Sequence, residues 1–222
     1  GSSPLSNEVI SAVGLLACSG LYWLYSFSVK PLVWLQRLLL ALIAAMGIVF
    51  VTMVSLAYSV DTIVTWSLPT VPISLWLNAL MGGPLLAAIT LYAAQWRALA
   101  GRFGLMLMAA PFVALAANTV VYIVQGMQLG GVANSVVAAA DLVPHYHTML
   151  LAFALMCFAG CVLAAFTMHT VSREAVAHGG GELAFSKRVL VRLLVSCLLV
   201  FAGVFIMRFA FYMMHLTVGL AV

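Results

Sequence analysis

The chain has 222 residues, of which 66% are hydrophobic and only 6% carry a charge. This composition excludes a water-soluble globular domain, in which charged residues make up about 25% of the total. The net charge of +4 does not indicate a nucleic-acid partner, because the basic residues form no continuous stripe and stand between apolar runs. The chain is therefore predicted to be an integral membrane protein.

Six predominantly apolar runs are long enough to cross a bilayer as helices, which takes about 20 residues each. In chain order they cover about residues 9–27, 38–60, 72–96, 103–125, 147–171 and 193–216. None alternates polar and apolar residues as a barrel strand does, so the backbone polar groups must be satisfied within helices. The sequence predicts an all-α integral membrane protein, with six transmembrane helices in a single domain over residues 1–222.

The basic residues predict how the helices are oriented. If the helices alternate in direction, eight of the nine Lys and Arg residues fall on one side of the membrane: Lys30, Arg37, Arg97, Arg102, Arg173, Lys187, Arg188 and Arg192. Because Lys and Arg concentrate on the cytoplasmic side, both ends of the chain are expected to be periplasmic. Glu8, Asp61 and Asp141 then belong to the outer face.

The long connection from Gly126 to His145 is expected to lie on this outer face. Val132, Val136, Ala139 and Val143 recur within it at near-helical spacing, and Pro144 ends the pattern. This spacing predicts a helix that lies flat at the membrane surface.

Arg208 is the one charged residue inside a predicted span. It lies roughly 24 Å along the last helix from Arg192, in the outer half of the membrane. An ionisable group at this depth usually pairs with an opposite charge and marks a functional path. Tyr212 and His215 follow at i+4 and i+7, so the three side chains are predicted to share one helix face. With Asp61 at the same level, they are candidates for a polar site near the outer surface; a structural arginine that extends to the headgroups is the alternative.

Glu8 stands near the outer end of the first predicted helix, after Pro4 and Ser6, which suit a helix start. An acid in a first turn can simply complement the helix dipole. A partly buried carboxyl group can also exchange protons near neutral pH, as the oxidation of a hydroquinone requires. Glu8 is therefore the candidate catalytic residue.

The cysteines and histidines do not predict a metal centre. The four cysteines lie in apolar runs without CxxC spacing. A b-type haem needs two axial histidines at matched depth, and only His145 or His147 with His215 could meet. We expect neither metal nor haem, but a haem b quinol oxidoreductase subunit stays open as an alternative. A small-solute transporter is another, with Asp61, Arg208 and a helix bend at MGGPL (81–85) as its midplane site.

Six short motifs, spread in order along nearly the whole chain, together resemble one family. They are LSNE (5–8), DTIVTW (61–66), MGGPLL (81–86), QGMQL (125–129), LVPHY (142–146) and RFAFYMMHLTVGLAV (208–222). In this order and spacing the chain resembles the membrane anchor subunit of the dimethyl sulfoxide reductase family.

The resemblance implies a haem-free protein of the bacterial inner membrane that oxidises menaquinol. It also implies two partners on the periplasmic face, an iron–sulfur subunit and a molybdenum catalytic subunit that receives the electrons from it. In that family the acid of the LSNE motif is implicated in the quinol site, and this role carries over to Glu8. His145 departs from the family pattern, in which an acid stands at that place.

Family members resemble eight-helix bundles with both ends outside. This chain is therefore expected to supply the last six helices of such a bundle. A histidine and an arginine that the family site also uses belong to a segment just before the LSNE motif, and we expect that segment and two helices to precede Gly1 in the full gene product.

The predicted orientation can be tested by cysteine labelling in intact cells. Cysteines that replace Arg97 and Arg188 should react with a membrane-impermeant reagent only after the cells are opened, because both positions are predicted to be cytoplasmic. Cysteine in place of Asp141 is the matched control and should react in intact cells. Labelling of position 97 or 188 from the periplasm would contradict the orientation.

Overall fold

The structure is a computed structural model that describes residues 3–59, 62–134, 136–177 and 185–217. Six helices in this part of the chain are long and apolar enough to span a membrane, which confirms the predicted all-helical architecture. They are α1 (Pro4–Tyr25), α2 (Val33–Ala57), α3 (Thr70–Ala93), α4 (Arg102–Leu129), α6 (Tyr146–Ala177) and α7 (Lys187–Met213). A four-residue helix, α5 (Ala139–Leu142), precedes α6, and a 3₁₀ turn over Arg97–Ala100 precedes α4.

The first helix begins earlier than predicted, because its start is capped. Ser3 is the N-cap, its Oγ accepts a hydrogen bond from the Ser6 backbone N–H at 3.3 Å, and Pro4 occupies the first helical position. Glu8 consequently lies in the second turn of α1, and the first turn contains no acidic residue. The dipole effect falls off within the first turn. The helix dipole therefore stabilises a negative charge on Glu8 less than the sequence suggested, because Glu8 is not in the first turn.

The other helix bounds also differ from the apolar runs, mainly at the charged ends. α7 begins at Lys187, ahead of the predicted start at 193, and ends at Met213, before the predicted end at 216. α6 continues to Ala177, past the predicted end at 171. Lys and Arg side chains extend away from the apolar layer while their backbone stays helical, so hydropathy alone cuts such helices short.

The flat surface helix predicted between Gly126 and His145 is wrong for most of its length. Asn134 folds the chain into a turn, because its Oδ1 accepts hydrogen bonds from Val136 N at 2.9 Å and Val137 N at 2.8 Å. Ala133 then pairs with Ala138 in an antiparallel bridge. An Asn side chain competes with helical hydrogen bonding in this way, and among the described residues after the end of α4 at Leu129 and before α6 the helix is limited to Ala139–Leu142.

The chain divides into two compact units, residues 1–61 and 62–222, so its treatment as a single domain stays a prediction. Unit 1 contains α1 and α2, which pack against each other. Gly14 permits this approach, since a Cβ there would lie 2.6 Å from Met46 Cε. The buried Ser11 donates a hydrogen bond to the Glu8 carbonyl oxygen at 2.7 Å, so this hydroxyl is satisfied on its own helix.

Unit 2 contains the four long helices α3, α4, α6 and α7, which pack as a ring: α3 on α4, α4 on α6, α6 on α7 and α7 on α3. At one end of the ring α3 and α6 begin and α4 and α7 end; we call it the aromatic end, formed by residues 62–69, 130–134, 136–146 and 211–217. At the opposite end Tyr92 OH accepts a hydrogen bond from Ser186 N at 2.9 Å. We call that end, residues 94–104, 173–177 and 185–192, the basic end.

Glycines let α6 and α7 approach closely. A Cβ on Gly160 would lie 2.7 Å from the Ser196 carbonyl oxygen, and a Cβ on Gly203 would lie 2.6 Å from Cys157 Sγ and 3.1 Å from the Phe153 carbonyl oxygen. Small residues at helix contacts are the usual means by which membrane helices associate, because lipid supplies no hydrophobic force between them.

Substitution of Gly203 by Ala should therefore loosen unit 2. Its Cβ meets a buried sulfur and a backbone oxygen, so we expect a loss of about 1–3 kcal/mol in the free energy of unfolding, as for other overpacked sites. Gly47→Ala in α2 is the matched control, since a Cβ there meets nothing within 4 Å. Unfolding in mixed detergent micelles measures both, and equal stability of the two variants would contradict this packing.

Candidate functional site

The aromatic end is closed by hydrogen bonds between the segment before α3 and the end of α7. Thr65 Oγ1 donates to the Met214 carbonyl oxygen, and Trp66 Nε1 donates to the Phe211 carbonyl oxygen at 3.1 Å. Leu216 N donates to Thr65 Oγ1 at 3.4 Å. The last carbonyls of a helix have no partner within that helix. Thr65 and Trp66 supply two of the missing donors, and so they fix the end of α7 against the start of α3.

Trp66 gathers three rings around it. Its indole stacks on Phe211 with ring centroids 4.9 Å apart, and it meets Tyr212 at 6.0 Å and His215 at 5.0 Å edge to face. Such offset and edge contacts add to the stabilisation that comes from burial. Phe211 is buried, whereas Tyr212 is 50% exposed. The cluster thus has an inner side that belongs to the core and an outer side that a ligand can reach.

Arg208 lies on the inner side of this cluster and is half-buried. Its guanidinium carbon is 4.4 Å from the centroid of the Phe211 ring and 5.4 Å from that of Tyr212. Both distances are in the range of cation–π attraction. Arg208 precedes the end of α7 by more than one turn, which places it roughly 7 Å inside the helix. It is also close enough to Tyr122 of α4 to interact with it electrostatically.

A buried amide network lies next to Tyr122, between α3 and α4. Asn78 Nδ2 donates to Tyr122 OH at 3.2 Å, and Asn118 Nδ2 donates to Asn78 Oδ1 at 2.8 Å. Asn118 is fully buried, and its Oδ1 accepts no hydrogen bond from the residues that the structure describes. Our sequence reasoning missed these three residues. The available signal was the presence of two Asn in spans where polar side chains are costly and usually hydrogen-bond to a neighbouring helix.

Three of the sequence motifs meet at Tyr146. Its hydroxyl donates to the Tyr122 carbonyl oxygen at 2.8 Å and lies 3.3 Å from Gln125 Oε1. The Tyr146 ring covers Gly126, where a Cβ would lie 2.8 Å from Cε1. Gln125 Nε2 in turn approaches Met214 Sδ at 3.7 Å. QGMQL, LVPHY and the terminal motif therefore share one contact region.

The predicted site residues fall into three groups. Arg208 and Tyr212 share a face of α7 as predicted, but His215 lies beyond the end of that helix, where its ring contacts Trp66. Glu8 belongs to unit 1, where its side chain is half-buried. Asp61 lies outside the described residues. In the part of the chain that the structure describes, no group of three His, Cys, Asp or Glu could hold a metal ion.

The arrangement therefore offers a fixed cation, phenol and imidazole groups and flat aromatic surfaces, all near the end of a membrane span. It can bind a flat, partly polar ring that enters from the apolar phase, and it can stabilise negative charge on that ring's oxygen. A ring of apolar helices, each long enough to span a membrane, defines a multi-pass membrane protein.

The comparisons with known proteins place this membrane protein in a family. The chain belongs to the family of the DMSO reductase anchor subunit (DmsC), whose model matches residues 1–214. It is thus a multi-pass protein of the bacterial inner membrane and a membrane anchor subunit of this family.

Several relatives match along the whole length of the chain. Two anaerobic dimethyl sulfoxide reductase chains of Escherichia coli (strain K12) are 34% and 31% identical to it over 224 residues, and the second of them is YnfH. Each match takes in 100% of this chain and 72% of the relative. An anaerobic dimethyl sulfoxide reductase chain of Haemophilus influenzae is 26% identical over 223 residues, which are 100% of this chain and 71% of the relative. No solved structure matches.

Removal of the Tyr146 hydroxyl should weaken the aromatic end. Tyr146→Phe leaves the Tyr122 carbonyl oxygen without this donor, so we expect a loss of about 1 kcal/mol in the free energy of unfolding. Tyr22→Phe in α1 is the control, and thermal unfolding in detergent would compare them. A Tyr146→Phe protein as stable as wild type would show that this hydrogen bond does not stabilise the fold.

Proposed function

We propose that this anchor subunit oxidises menaquinol at the aromatic end and passes the electrons to an iron–sulfur subunit. That subunit would in turn reduce a molybdenum catalytic subunit of the dimethyl sulfoxide reductase type. The names of the relatives support the complex, since they are chains of anaerobic dimethyl sulfoxide reductases. Apart from Arg208, the Lys and Arg residues of unit 2 lie at the opposite end, so the aromatic end would face the periplasm, as would the partner subunits.

The observation that carries this proposal is the half-buried Arg208 over the rings of Phe211 and Tyr212, both of which contact Trp66. The oxidation of a quinol releases two electrons and two protons, and negative charge develops on an oxygen as a proton leaves. A fixed guanidinium in a region of low dielectric constant stabilises that charge without having to reorient. The rings around it suit the flat head group of the quinol.

The protons need an acceptor other than Arg208, because a guanidinium stays protonated at every accessible pH. Glu8 is proposed for this role, since a carboxylate can take a proton from the quinol and release it to water. Asp61, which directly precedes the segment with Thr65 and Trp66 in the sequence, is proposed as a further quinol-binding residue. Tyr212 and His215, both exposed, would line its outlet.

Arg208→Gln tests this function in the assembled complex. We expect quinol oxidation to fall about 100-fold, the usual effect of removing one electrostatic contact from a transition state. Binding of a quinol-site inhibitor should weaken in parallel. Arg208→Lys keeps the charge without the planar guanidinium and should retain an intermediate rate. The rate of quinol oxidation and inhibitor fluorescence quenching are the measurements.

Two outcomes would contradict the pocket role of Arg208. A complex that assembles normally and keeps full quinol oxidation and inhibitor affinity would show that Arg208 touches no quinol. Failure of both the Gln and the Lys variant to assemble would indicate a structural ion pair instead.

Two simple observations would distinguish the alternative functions, a haem b subunit and a small-solute transporter, from quinol oxidation. A Soret band in the purified protein would establish a haem b subunit, with His215 and His145 or His147 as the candidate axial ligands. Uptake of a small solute by vesicles that contain the protein without redox partners would favour a transporter.

A further inference from the structure

A groove of about 350 Å³ opens at the basic end of unit 2, far from the aromatic end. It is lined by Lys187, Arg188, Val191 and Arg192, all on the first turns of α7 and all exposed. Within residues 3–59, 62–134, 136–177 and 185–217, no carboxylate forms an ion pair with any of the three cations. Three like charges thus line one shallow groove that is open to the surface, without a counter-charge from the described residues.

The positive charge of this groove determines which kind of ligand it can bind. Cations that are close together in sequence on one helix repel one another, and an anion between them converts that repulsion into attraction. Arg and Lys are the side chains with which proteins bind phosphate, Arg by paired N–H donors and Lys as a point charge. A phosphate group therefore fits the chemistry of the groove.

The surface beyond the groove distinguishes a lipid from a free phosphate. From Val191 an exposed apolar stripe continues along α7 into the predicted span, with side chains at helical spacing: Val191 56%, Leu194 43%, Val195 41% and Leu198 68% exposed. An acyl tail can lie along this stripe while the phosphate to which it is linked stays among the cations. A free phosphate ion has no acyl tail, so it would contact the three cations and not the apolar stripe.

We propose that the groove binds the headgroup of an anionic phospholipid, such as phosphatidylglycerol, with an acyl tail along the stripe from Val191 to Leu198. Lys187, Arg188 and Arg192 contact the phosphate oxygens. This site is independent of quinol oxidation, because it lies at the other end of unit 2 from Arg208. Clusters of Lys and Arg at the cytoplasmic end of a membrane helix attract the headgroups of anionic lipids.

Spin-labelled lipids test the proposal on the full-length protein in nanodiscs of phosphatidylcholine. Spin-labelled phosphatidylglycerol should be immobilised in preference to spin-labelled phosphatidylcholine, and rising salt should reduce that preference. In Lys187→Gln/Arg188→Gln/Arg192→Gln the preference should fall by roughly fivefold for each charge removed. The charge-conserving Lys187→Arg/Arg188→Lys/Arg192→Lys should keep it. Arg102→Gln, which removes an exposed cation at the same end but outside the groove, should also keep it.

Each other outcome overturns the proposal. Equal immobilisation of the two lipids by the wild type, or a preference that salt leaves unchanged, would show that these cations only orient the helix in the membrane. An undiminished preference in the triple Gln variant would place the lipid elsewhere. Inorganic phosphate can be added at the same concentration as the spin-labelled phosphatidylglycerol. Loss of the lipid preference under this condition would show that the groove binds a free anion. If the triple Gln variant does not fold, the salt dependence of the wild type and the lipid preference of the charge-conserving variant still test the proposal.

Discussion

Unit 2 depends at its aromatic end on the backbone carbonyls with which α7 ends. A membrane helix can end only where water or protein donors meet its last carbonyl groups, because lipid offers none. Here Thr65 and Trp66 provide donors to Met214 and Phe211. The indole that makes one of these bonds also stacks on Phe211, and Phe211 in turn lies beneath the Arg208 guanidinium. One capping contact therefore sets the position of the aromatic cluster and of the charge beside it.

The membrane architecture could be predicted from sequence because it depends on single-residue properties. Apolar runs give the six spans, and a charge inside one of them identifies Arg208 without any knowledge of its neighbours. The bounds were harder to predict, since Lys187, Arg188 and Arg192 continue a helix that hydropathy begins at 193. His215 was misplaced for a related reason: the helical spacing continues in the sequence past Met213, but Leu216 N donates to Thr65 Oγ1 instead of to a carbonyl of α7.

The amide network could not be predicted because it depends on which helix faces meet. α3 and α4 are apolar on all sides, so their periodicity does not show an inward face. Asn78, Asn118 and Tyr122 come together only when the two helices pack. Tyr146 illustrates the same limit: the structure buries its ring against Gly126, and its hydroxyl donates a hydrogen bond to the Tyr122 carbonyl oxygen of α4. Burial of this kind is a property of the assembled ring of helices.

The Thr65 and Trp66 hydrogen bonds also bear on the order of events during synthesis. Their partners follow 149 and 145 residues later in the sequence. Translation adds about 5–20 residues per second, so the end of α7 is synthesised roughly 7–30 s after the segment before α3. During that interval Trp66 has neither its acceptor nor its stacking partner, and the rings do not yet surround the arginine position. A polypeptide that is still being inserted thus lacks this part of the site, and the aromatic end is completed only once the last helix is in place.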